Sequence, residues 1–79
     1  MANYQRMVEN YLAEYQPELK AELEGRGELV TYLEEQADAM QEAKERIIAT
    51  LQERHPDSSP LQIEMEAERA MMEMFLTPI

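Results

Sequence analysis

Residues Glu28–Arg54 read ELVTYLEEQADAMQEAKERIIATLQER, and this run decides the fold class. It holds neither glycine nor proline and is rich in Ala, Glu, Leu, Met, Gln and Arg, all good helix formers. Val30, Leu33, Ala37, Met40, Lys44, Ile47 and Leu51 recur in steps of three and four, the spacing that keeps side chains on one face of a helix. As heptads the seam has one flaw, Lys44, whose stem can lie on an apolar face while its ammonium reaches water. Leu29 and Ile48 widen the stripe at its ends. Such a stripe serves either a helical bundle or a coiled-coil dimer. The chain has no period-2 run of β-branched residues, so the expected class is all-α.

Glycine and proline set the helix limits on either side. Upstream, Tyr4, Met7, Val8, Tyr11, Leu12 and Tyr15 form one apolar stripe and predict a helix over residues 3–16. Pro17 breaks it, because a proline ring opposes helical geometry in the preceding residue. A short helical extension over 17–24 follows, with Leu19 and Leu23 four apart, and Gly25-Arg26-Gly27 reads as a connector in which either glycine can take positive φ. The long helix is expected over 28–54, with Leu33, Met40, Ile47 and Leu51 buried against Tyr11 and Leu12. Downstream, His55-Pro56-Asp57-Ser58-Ser59 is a second connector. Ser59 with Gln62 fits an S-x-x-Q capping box, and Pro60 suits the first helical position. A closing helix is expected over 60–76.

That closing helix carries two apolar flanks. On a helical wheel, Gln62, Glu66, Arg69 and Glu73 fall within about 60° of one another and form a wet face. Ile63, Ala67, Ala70, Met71 and Met74 cluster on one flank, and Leu61, Met65, Met72, Phe75 and Leu76 on the other, with Glu64 and Glu68 between them. A helix on a small bundle needs one apolar stripe. Two imply cover on both sides, from the other helices or from a second molecule. The Ile63/Ala67/Ala70/Met74 flank, with its small residues, is expected in the core. The Leu61, Met65, Met72, Phe75, Leu76 flank is expected to bind a partner, since methionine is adaptable and frequent on binding surfaces, although core filling is also a common use of it.

Bulk numbers bound the function. Seventy-nine residues allow one domain, and the chain has no cysteine with which to staple it. Small cores are often completed by oligomerisation, so a homo-oligomer, a dimer above all, is expected. Seventeen Asp and Glu against seven Lys and Arg give a formal net charge of −10. A phosphate backbone and an anionic membrane would both be repelled, so no direct nucleic-acid or membrane partner is expected. No export signal and no apolar run long enough for a membrane span is seen, which suggests a cytoplasmic protein.

Nothing in the chain spells out chemistry. His55 is the single histidine and sits in a connector, where it suits a helix C-terminus. A phosphate loop, a nucleophile elbow, an EF-hand loop and a Glu-x-x-His pair are all missing. No enzyme activity, cofactor or metal is expected.

One charged constellation stands out. Glu28, Glu35, Asp38, Glu42 and Glu45 follow helical spacing along the long helix, placing neighbouring carboxylates about 5–6 Å apart at Cβ. This is either a solvated face opposite the Val30–Leu51 stripe or a row resembling a nucleic-acid backbone, as small acidic phage inhibitors of restriction and CRISPR nucleases present. Lys44 and Arg46 interrupt it.

Tyr11-Leu12-Ala13-Glu14-Tyr15-Gln16-Pro17-Glu18-Leu19, then Gln36-Ala37-Asp38-Ala39, then Ala67 to Leu76, together resemble short helical proteins of bacterial mobile elements or phages. In those a YL-x-x-x-x-PEL opening precedes a long helix and a closing helix. The resemblance covers most of the chain. It implies an all-α fold and a mobile-element context, and it supplies no site residues.

The expected architecture is a small three-helix bundle with its first helix broken near Pro17. The expected function is that of a small acidic protein–protein interaction module, accessory or regulatory, acting by binding. The alternative is a nucleic-acid mimic that blocks the basic groove of a nuclease.

Overall fold

Asn3 starts the first helix. Its side chain accepts a hydrogen bond from the Arg6 N–H at 3.0 Å, satisfying one of the amides that a helix start leaves open. The computed structural model describes residues 3–77, which hold four α-helices and no strand. They are α1 (Tyr4–Tyr15), α2 (Pro17–Arg26), α3 (Leu29–Arg54) and α4 (Pro60–Phe75). The chain divides into two compact units within α3, between Ala39 and Met40.

In the first unit, Tyr4, Val8 and Leu12 are buried along α1 at the four-residue spacing of one face. Met7 and Tyr11 are half-buried, and Tyr15 is exposed with its ring tilted against that of Tyr11, centroids 5.2 Å apart. Gln16 leaves helical geometry (φ −139°, ψ 56°), as a residue before proline does, and Pro17 opens α2 at a position where its missing N–H costs nothing. Helix α2 packs against α1 and buries Leu23.

The connector after α2 is shorter than the sequence suggests. Gly25 and Arg26 remain helical, and only Gly27 takes positive φ, at 69°. The Gly27 N–H donates to the Glu24 carbonyl at 3.1 Å and the Glu28 N–H to the Leu23 carbonyl at 2.9 Å. These are the two bonds of a Schellman cap, which needs one left-handed residue. The Glu28 carbonyl then accepts from the Tyr32 N–H at 3.0 Å, so the next helix begins one residue later than expected.

Helix α3 departs from the heptad reading at its start. Leu33 is buried and Leu29 half-buried, but Val30 is 65% exposed. A strict seven-residue repeat drifts by about 20° per heptad on a straight α-helix. Over the three heptads from Val30 to Leu51 that drift sums to about 60°, and Val30 stands at its far end.

In the second unit, Met40 and Ala43 are buried on α3 and Ile47 and Leu51 half-buried. Ala43 takes a core position that the heptad reading left to its neighbours. The α3–α4 connector is a turn in which the Ser58 N–H donates to the His55 carbonyl at 3.1 Å, with Pro56 at the position this turn favours for proline. Ser59 caps α4 by accepting from the Gln62 N–H at 3.1 Å. The reciprocal half of the capping box is replaced: the Gln62 side-chain amide donates forward to Glu66 Oε1 at 3.4 Å. Ile63, Ala67 and Met71 are the buried residues of α4.

Candidate interaction surface

Because Ile63, Ala67 and Met71 follow a four-residue step, Ala67 marks the meridian of α4 that faces the core. Measured from it, Leu61, Met65, Met72 and Leu76 all lie more than about 100° round the helix, and Phe75 about 80°. The partner-binding flank read from sequence thus lies outside the buried stripe. Its five members differ in exposure. Leu61 is 67% and Met65 64% exposed, one helical turn apart, whereas Met72, Phe75 and Leu76 are half-buried. Leu61 and Met65 line a shallow surface depression with Ser59, Gln62, Glu66 and Arg69.

The opposite flank needs one correction. Met74, expected in the core, is 66% exposed. It sits in the last turn of α4 beside an open groove lined by Ala43, Arg46, Ile47, Thr50 and Leu51. Ala43 and Thr50 are too short to close that groove, which also leaves Ile47 and Leu51 half-covered rather than buried.

Lys44, the flaw in the heptad seam, reaches α4. Its Nζ lies 2.7 Å from Glu68 Oε2 and 3.4 Å from Glu64 Oε1, with only 13% of the side chain exposed. Glu64 and Glu68 are the two acids that the helical wheel sets between the flanks of α4. The stem of Lys44 is covered while its charge is matched, as an amphipathic side chain permits. This destination was not foreseen, although a lone lysine in an apolar stripe and two glutamates four apart on the next helix were visible signals.

The acidic residues Glu28, Glu35, Asp38, Glu42 and Glu45 are all exposed. Glu45 Oε1 accepts from the Gln41 side-chain amide at 3.2 Å. Of the two cations that interrupt the row in sequence, Lys44 is turned to α4 and Arg46 is exposed. His55 is exposed in its connector. Among the described residues no group of three or more His, Asp or Glu is placed to hold a metal ion. No described helix is long and apolar enough to cross a membrane.

Comparison with protein-family models, curated proteins and solved structures finds no match for the chain.

Proposed function

We propose that the chain is a small acidic interaction module that acts by binding, associating with a second copy of itself through the outer face of α4. The observation that carries this reading is the pair Leu61 and Met65, both about two-thirds exposed and one turn apart on the side of α4 away from its buried meridian. Adjacent exposed apolar side chains of this size mark contact surfaces more often than isolated ones do.

Sequence spacing supports a second copy as the occupant. Leu61, Met65, Met72 and Leu76 are separated by four, seven and four residues, so the stripe reads the same from either end. A two-fold antiparallel pairing would set Leu61 on Leu76 of the second copy and Met65 on its Met72, the self-complementarity an isologous interface requires. Two side chains alone fall far short of the roughly 1,200–2,000 Å² that a stable interface buries. The contact therefore runs the length of α4, whose 16 residues span about 24 Å. The axis would pass between Glu68 and Arg69, so the same register sets Glu68 of each copy on Arg69 of the other, opposite charges at the centre of the contact.

Sedimentation equilibrium of the unmodified protein and of Met65→Glu tests the reading. A reversible dimer that the substitution dissociates, with helicity kept, is expected. A monomer at every concentration refutes it.

A second reading, a mimic of nucleic acid that blocks a basic groove, draws on one observation. Lys44 stands between the exposed Glu42 and Glu45 in sequence but pairs with α4 instead, which removes one of the two cations from the acidic row. Binding of that kind would weaken steeply as salt rises.

A further inference from the structure

The six methionines among the described residues divide by exposure. Met40 and Met71 are fully buried, Met7 and Met72 half-buried, and Met65 and Met74 are 64% and 66% exposed. A thioether that oxidant can reach is converted to the sulfoxide, changing a flexible apolar side chain into a polar one. Met74 borders the groove beside Ala43, away from the proposed contact. Met65 stands within it, next to Leu61.

We propose that Met65 is an oxidation site that controls self-association, an inference that rests on the α4 reading above. The oxidant is a peroxide. The sulfur lone pair of Met65 attacks one peroxide oxygen, the O–O bond breaks, an S–O bond forms, and the other oxygen leaves as water or an alcohol after taking up a proton. The sulfur loses two electrons and the peroxide gains them. The sulfoxide oxygen is a strong acceptor, served by water and by the exposed Gln62 and Arg69 that share its depression, and burial against Leu61 and the apolar side chains of a second copy would strip that hydration, so the face must stay open. Assembly in turn shields Met65 while Met74 stays open, so Met74 serves as an internal reference for solvent access.

The test treats the full chain with dilute hydrogen peroxide over a range of protein concentrations and maps sulfoxides by peptide mass spectrometry, with sedimentation before and after. In dilute, dissociated protein Met65 and Met74 are expected to oxidise about ten-fold or more faster than Met40 and Met71. Raising the concentration should slow Met65 and not Met74. Oxidised protein should sediment as monomer, Met65→Leu should stay associated after peroxide, and Met74→Leu should dissociate like the unmodified chain. Oxidation of Met65 no faster than that of Met40, or dissociation of Met65→Leu by peroxide, overturns the proposal. An untreated chain that is monomeric throughout is recognised before any oxidant is added and overturns the α4 reading together with the control built on it.

Discussion

Lys44 Nζ lies 2.7 Å from Glu68 Oε2, joining the second half of α3 to α4 through an ion pair whose side chains are 13% and 23% exposed. An exposed pair contributes about 0–1 kcal/mol, and losing one partner of a fully buried pair costs about 3–5 kcal/mol. This pair stands between those limits, with Glu64 in reserve at 3.4 Å. Glu68→Ala should therefore cost on the order of 1 kcal/mol in urea unfolding. Lys44→Met, which keeps the stem and removes the charge, should cost less than Lys44→Ala. Equal losses for the two lysine variants would show that the charge and not the stem matters.

Core positions separate from the heptad positions that left the core. Leu12→Ala and Met71→Ala remove buried side chains and should each cost about 2–5 kcal/mol. Val30→Ala, at a site 65% exposed, should change stability by less than about 0.5 kcal/mol. Denaturant midpoints measured side by side decide this, and a large loss at Val30 would restore it to the core stripe.

The two glycines should respond with opposite sign. Gly25 lies inside α2 with open space where a Cβ would stand, so Gly25→Ala should stabilise by about 0.5–1 kcal/mol. Gly27 has the same space but a φ of 69°, and Gly27→Ala should destabilise by about 1 kcal/mol. Thermal unfolding of both variants checks the assignment of the Schellman cap.

Salt separates the two functional readings. Each copy carries a formal charge of −10, so self-association brings like charges together, and screening should strengthen it. A contact between the acidic face and a basic groove should weaken instead. Sedimentation at low and high salt gives the sign directly.

Much of the helical layout was legible, because its punctuation has local causes. Pro17 had to interrupt a helix, Ser59 and Pro60 had to start one, and the run from Glu28 to Arg54 contained nothing to break it. The misreadings lie where local pattern meets three-dimensional register. Val30 fits a heptad on paper but lies off the buried side of a helix with 3.6 residues per turn. Either glycine of Gly25-Arg26-Gly27 could take positive φ, and the two hydrogen bonds of the cap select Gly27. Lys44 is a flaw in the seam whose ammonium the sequence sends to water, because its partners Glu64 and Glu68 lie on another helix. The wheel placed Leu61, Met65, Met72, Phe75 and Leu76 together, yet it could not tell that the first two stand open and the last three are half-covered. A wheel records direction around one axis and nothing of what neighbouring segments cover. Met74 shows the same limit, pointing close to the core direction beside a groove that its neighbours are too short to fill.

Two copies of this chain are proposed to meet at the outer face of α4. Sedimentation equilibrium of Leu61→Glu, Met65→Glu and the unmodified protein, with circular dichroism on the same samples, tests that contact most directly. A concentration-dependent dimer is expected for the unmodified chain of 9.3 kDa, and monomers of unchanged helicity for both variants, since each adds charge at a side chain already about two-thirds exposed. Unmodified protein that stays monomeric, or variants that dimerise as well as it does, would rule out α4 as the contact between copies.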